Sequence, residues 1–207
     1  MQMPVSQKAK SPLRARTPKR SERTSTRTKS KLHIVSPLMQ GADIMRSPED
    51  WTSVYNTNAV APFFMSVGML PLLQKATERQ HGWSGTIINI SSISGMVRIS
   101  QGHFGYNASK GATVHLTKLL AAEIQGAGLK IRVNAIAPGV FPSEMTTQES
   151  GDNQKSEMPK EKKEGLPSGR PGNDRDMAAA VLFCASCQYL NGQNVVVDGG
   201  YLIQTGT

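Results

Sequence analysis

The chain has 207 residues, with 24 Lys and Arg against 15 Asp and Glu and a formal net charge of +9. Residues 1–31 hold ten basic residues and one acidic residue, so they carry the whole excess, and residues 32–207 balance to zero. A neutral remainder argues against a nucleic-acid-binding domain, which carries its basic patch on the fold. Two cysteines and 38% hydrophobic content exclude a disulfide-stapled secreted scaffold.

In chain order, residues 1–31 are rich in Arg, Lys, Ser, Thr and Pro. They hold too few apolar groups to offset ordering entropy and are read as a disordered basic tail, with 32–207 as the folded domain. Three readings of the tail stay open: an acid-poor leader similar to a mitochondrial transit peptide, a basic arm for nucleic acid or membrane, or a segment without a selected role. The N-terminus has no apolar h-region, so no secretory signal is expected. Residues 32–35 are a weak strand candidate. Ser47 is placed to cap a helix from Pro48 to about Gln80, with Glu49 and Asp50 in its first turn. Residues 51–74 carry no charge. Their Asn, Ser, Thr and Pro content favours a buried helix of a soluble core over a membrane span.

A strand follows at 86–90 (TIINI). A helix at about 106–125 puts Leu116, Leu119, Leu120 and Ile124 on one stripe, with Gly126 as its stop. A second strand occupies 131–137 (IRVNAIA). The long polar stretch 141–173 reads as a lid over a cleft. A third helix at about 174–189 carries Met177, Val181, Leu182 and Cys184, and a last strand lies at 195–197. Strands alternating with helices imply right-handed βαβ units and a parallel sheet.

The first chemical signal is Tyr106-Asn-Ala-Ser-Lys110. Positions i and i+4 share a helix face, so phenol and ammonium are expected as neighbours. A nearby cation favours phenolate, so the Tyr106 pKa is expected to fall and the group to serve as an acid/base. Ser92 stands just beyond strand 86–90, at the carboxyl end where open α/β sheets bind ligands, and can hold a substrate carbonyl. Asn58 precedes Pro62 by four residues, and proline has no N–H. The Asn58 carbonyl is therefore expected to lose its helical partner, to kink the helix and to hold a water in a relay ending at Lys110. Cys184 and Cys187 lack further ligands at metal-site spacing and are read as core or partly buried cysteines, with no metal. The first glycine of the chain is Gly41, and neither G-x-G-x-x-G nor a P-loop pattern occurs in it.

Taken together, W-x-x-V-x-x-x-N-x-x-x-P-F-F from Trp51, TIINISS, YNASK, RVNAIAPG and VVVDGGY resemble the short-chain dehydrogenase/reductase family from about Asp50 onward. Within it the chain is most similar to fungal 3-oxoacyl-acyl-carrier-protein reductases and rhamnolipid-type ketoacyl reductases. The resemblance implies the C-terminal part of a Rossmann-like, doubly wound α/β fold and a cytoplasmic NAD(P)(H)-dependent enzyme. That enzyme would reduce a ketone or 3-oxoacyl group, or run the reverse oxidation. It matches Ser92, Tyr106, Lys110 and Asn58 to the catalytic tetrad, with Ser94 as a substitute for Ser92. It implies that Tyr106 and Lys110 also touch the cofactor, that Pro138, Gly139 and Val140 line the nicotinamide, and that Ser143 bonds its carboxamide. Pairing of copies through the helices near 50–80 and 106–125 is implied as well. Residues 32–45 match the family poorly, and its N-terminal cofactor-binding third is expected to be missing. The contrasting reading is therefore an inactive chain that acts, if at all, as an interaction protein. The choice between NAD and NADP is not readable.

Overall fold

The computed structural model describes residues 47–100, 102–142 and 165–207. All belong to the unit Gly41–Thr207. The strand candidate at 32–35, the basic tail and Ser143 lie outside the described residues.

Helix α1 is Pro48–Tyr55, opened by a capping box in which the Ser47 hydroxyl accepts from Asp50 N–H at 3.2 Å and Asp50 Oδ2 accepts from Ser47 N–H at 3.1 Å. A π-helical stretch, Asn56–Val60, leads into α2, Ala61–Arg79. This is the distortion expected from Pro62, whose missing N–H breaks the ladder one turn back. Strand β1 is Gly85–Ile90 and a 3-10 turn follows at Ile93–Gly95. Helix α3 is Phe104–Gly126, β2 is Ile131–Pro138, α4 is Asp174–Ser186, β3 is Asn194–Val197 and α5 is Tyr201–Thr205. The 3-10 turn and α5 were not legible as elements.

The three strands form one parallel sheet in the order β1-β2-β3, with Gly85 opposite Ile131 and Ala135 opposite Asn194. The central strand β2 is buried from Ile131 to Ala137. Successive side chains point to opposite faces. Ile131 and Val133 therefore pack with Leu120, Ala121 and Ile124 of α3, while Ile136 packs with Ala180 and Cys184 of α4. Each such aliphatic side chain contributes about 1.5–3 kcal/mol when fully buried. The result is a helix–sheet–helix sandwich of the Rossmann-like type, with the carboxyl ends of the strands at one rim. Among the described residues the outer edge of β1 has no paired strand.

Several expectations need correction. Gly126 is the last residue of α3 rather than its stop, and the left-handed turn falls at Gly128, where φ is +76°. Helix α4 ends at Ser186 because Cys187 is extended. Leu119, Val181 and Leu182 are exposed, so the predicted apolar stripes are narrower than their spacing suggested. The helix read as a buried core element is buried along one side only. Ser66 and Thr77 are covered and Leu70 and Leu73 pack on the core, while Phe64, Met65 and Leu72 are about two-thirds exposed. From Pro48 to Arg79 the helix is long and apolar enough to cross a membrane by length and composition. Its inner side is nevertheless stitched to the sheet, since Thr77 Oγ1 donates to Lys130 O and accepts from Gly85 N–H. Cys184 is buried and Cys187 partly buried, in line with the reading as core cysteines.

Candidate active site

The site is built where β1 ends. Ser91 and Ser92 continue the strand, and both are buried. Ser92 Oγ accepts from Ser94 N–H at 3.1 Å, which caps the 3-10 turn and holds the hydroxyl at the rim of the sheet. Helix α3 then returns across this rim and brings Tyr106 beside it. The Ser92 side chain lies close enough to the Tyr106 phenol to pull its pKa down. One turn on, the Lys110 ammonium lies 5.7 Å from the centroid of the Tyr106 ring and donates to the Ile90 carbonyl at 2.8 Å. The spacing i, i+4 thus puts both groups on the face of α3 that meets the end of β1.

The electrostatics differ from the expectation. Burial pushes the Tyr106 pKa above its ordinary value, and the Ser92 side chain opposes this only in part. Burial also pulls the Lys110 pKa down. The phenol is therefore not a phenolate poised by a cation. The reason is geometric: Lys110 sits over the ring and spends a hydrogen bond on a backbone carbonyl, while both groups lose water.

Asn58 lies in the π-helical stretch and meets α3 twice. Its Nδ2 donates to Ser109 Oγ at 3.0 Å, and its carbonyl accepts from Thr113 Oγ1 at 2.7 Å. The carbonyl freed by Pro62 is thus met by a hydroxyl of α3. Ser109 and Thr113 were missed by the sequence reading. The available signal was the run Ser109, Thr113, Thr117 at four-residue spacing, a hydroxyl stripe alongside the apolar one. Pro138 ends β2, and Gly139 N–H donates to Val197 O at 2.9 Å. A Cβ at Gly139 would stand 2.6 Å from Asp198 Cα, so this close turn requires glycine. Val140 O accepts from Gly172 N–H at 2.9 Å. Val140 also lines a hollow of about 130 Å³ with Phe141, Leu166, Arg170, Val197 and Asp198, beneath the described end of the predicted lid. At its wall Arg170 pairs with Asp176, whose carboxyl is held below its usual range by that guanidinium and by Asn173 N–H. No three His, Cys, Asp or Glu side chains gather as metal ligands among the described residues.

Gly95 fixes the approach of the rim to α3. A Cβ there would stand 2.5 Å from the Lys110 carbonyl carbon and 2.6 Å from Gly111 N. Both are backbone atoms, so the helix itself would have to move. Gly95→Ala is expected to cost about 1–3 kcal/mol in a urea melt and to displace Lys110. Gly111→Ala meets only the Gly95 carbonyl, at 3.4 Å, and should be neutral or stabilising by up to about 1 kcal/mol.

A family model for enoyl-(acyl carrier protein) reductases matches residues 33–202, beginning upstream of the stretch read as similar. The 3-oxoacyl-acyl-carrier-protein reductase FabG of Chlamydia trachomatis is 39% identical over 166 residues, which cover 79% of this chain and 61% of that protein. The rhamnolipids biosynthesis 3-oxoacyl-acyl-carrier-protein reductase of Pseudomonas aeruginosa is 33% identical over 153 residues, covering 73% of this chain and 57% of that one. A solved Pseudomonas aeruginosa RhlG/NADP active-site complex superposes with a TM-score of 0.64 at 31% identity, covering 78% of this chain and 62% of that one. The chain thus spans about three-fifths of the length of these relatives. With a family match over most of its length and a fold shared with solved members, the chain belongs to the short-chain dehydrogenase/reductase family.

Proposed function

We propose that this chain carries the substrate and nicotinamide half of an NAD(P)(H)-dependent ketoreductase acting on a ketone or 3-oxoacyl group. The observation behind this reading is the meeting of Ser92, Tyr106 and Lys110 at the carboxyl rim of the sheet. Reduction of a carbonyl needs a hydride at carbon and a proton at oxygen. The nicotinamide cofactor, when bound, supplies the hydride. The chain supplies the rest. Ser92 Oγ holds the carbonyl oxygen, and the Tyr106 phenol gives it a proton. A raised pKa keeps that phenol protonated at neutral pH, which suits an acid in the reducing direction. Tyr106 regains its proton from Lys110, and Lys110 in turn from a solvent-exchanging water that donates to the Asn58 carbonyl.

The donor set fits the nicotinamide end of the cofactor. An ammonium has three donors, and Lys110 spends one on Ile90, leaving two for ribose hydroxyls. Pro138, Gly139 and Val140 offer a tight backbone turn at the same rim, and Ser143 is proposed for the carboxamide. The glycine-rich turn that would hold the pyrophosphate is not among these 207 residues. Binding therefore carries the test. Titrating the chain with NADPH and with NADH should quench protein fluorescence in about the micromolar range, with turnover of a 3-oxoacyl thioester. No binding at about millimolar cofactor would end the reading.

The contrasting reading is a chain without turnover that docks on an intact reductase. The exposed side of α2, with Phe64, Met65 and Leu72, favours it. It requires no cofactor binding, together with co-elution of the chain with such a partner.

A further inference from the structure

Ser109, Thr113 and Thr117 succeed one another at four-residue intervals on α3, and their exposures are 0%, 1% and 0%. A helix face this deeply buried is ordinarily apolar. Here it is built of hydroxyls, and each has found a partner. Thr117 Oγ1 accepts from Asn89 Nδ2 of β1 at 3.0 Å and donates to Thr113 O at 2.9 Å. Ser109 Oγ accepts from Asn58 Nδ2 at 3.0 Å and donates to Tyr106 O at 2.8 Å. Thr113 Oγ1 has one proton and two acceptors, Asn58 O at 2.7 Å and Ser109 O at 3.0 Å. The shorter bond leaves the helix, and it ends on the carbonyl that Pro62 deprives of an N–H partner.

Both polar ends of Asn58 are therefore held by the face of α3 that carries the site. A hydroxyl satisfying its own helix would reach only the carbonyl four residues back, as Thr117 does. Thr113 differs in that the shorter bond of its single proton leaves the helix for the distortion between α1 and α2. We infer that Thr113 is a positioning residue: its hydroxyl fixes the Asn58 carbonyl so that one lone pair is taken and the other faces the proton path to Lys110. This rests on the reductase reading of the site, which it deepens by one residue. Thr113 touches neither substrate nor reacting atoms.

The test compares Thr113→Val, which keeps the shape without the hydroxyl, with Thr113→Ser, which keeps the hydroxyl. In the full chain with NADPH and a 3-oxoacyl thioester, Thr113→Val should lower kcat about tenfold, leave KM within about twofold and shift the pH dependence of kcat. Thr113→Ser should restore both. Thr113→Ala gives a second deletion should the valine methyl, aimed at a carbonyl, unfold the chain. A further measurement needs no turnover: carbon-13 NMR titration of lysine side chains in the cofactor-free protein, with Lys110 assigned through Lys110→Arg. Its midpoint should move by about half a pH unit or more in Thr113→Val and stay in place in Thr113→Ser. An unchanged pH profile and an unchanged Lys110 midpoint in Thr113→Val overturn the inference, even if stability falls. So does a serine variant as impaired as the valine one. A wild-type chain without turnover removes the reductase reading, and the Lys110 midpoint then decides the role of Thr113 separately.

Discussion

Tyr106→Phe is expected to reduce ketone turnover by about two to four orders of magnitude, the usual contribution of a positioned general acid. KM should change little, because the ring and its packing remain. The loss in stability should be small, about 1 kcal/mol, since only the hydroxyl and its interaction with Ser92 disappear. Steady-state kinetics and a urea melt on the same preparation check both halves. Retained turnover would refute the assigned acid. The same variant tests the electrostatics. Burial raises the Tyr106 pKa, so in an ultraviolet phenolate titration it should ionise above the ordinary phenol value of about 10, and this late step should vanish in Tyr106→Phe. A group whose pKa is raised on folding stabilises the fold below its unfolded pKa and loses that contribution as pH rises through the folded value. The melt should therefore show the wild type losing its advantage over Tyr106→Phe only above about pH 10.

Arg132→Met should have the largest effect on stability, a loss of about 2–4 kcal/mol from a urea melt. Arg132 lies on β2 and is 5% exposed. Its guanidinium donates to Cys184 O at 2.9 Å, Ala185 O at 2.8 Å and Leu190 O at 3.2 Å, and its Nε donates to Ser84 Oγ at 2.8 Å. Two of these carbonyls belong to the last turn of α4, which has no further helical N–H to accept. The cation also complements the negative end of that helix. Methionine would fill much of the volume and take their donor from the Cys184 and Ala185 carbonyls, while Leu190 O keeps Asn134 Nδ2 at 2.9 Å. Because whole domains are stable by only about 5–15 kcal/mol, the variant should lose a large share of its stability. A change below about 1 kcal/mol would show that the cap is replaceable by water.

The elements that were legible owe their form to neighbours in the chain. Ser47, Asp50 and Pro48 open α1, and the same three-residue logic in Asn173 and Asp176 opens α4. The apolar runs at 86–90 and 131–137 became parallel strands because each is bounded by breakers and rich in β-branched residues. Tyr106 and Lys110 share a face because an α-helix turns every 3.6 residues. Pro62 marked the distortion around Asn58 because a missing N–H acts within one turn.

The rest depended on partners far along the chain. Thr113 meets Asn58 across 55 positions, and Arg132 meets Cys184 across 52. The four-residue run of hydroxyls gives Thr113 a face but not its partner, and an arginine in a strand does not say which carbonyls it will meet. Leu119 and Leu182 fit their helical stripes yet face outward, since spacing gives a face but not what covers it. The direction of the Tyr106 pKa belongs to the same class: the adjacent cation is visible in the sequence, and the water lost on packing is not. Chain order by itself determined the three strands, their helices and the pairing of a phenol with an amine. Only the tertiary structure decided which polar groups lose solvent and who satisfies them, because desolvation and long-range hydrogen bonds are set by packing between elements and not by the order of residues within one.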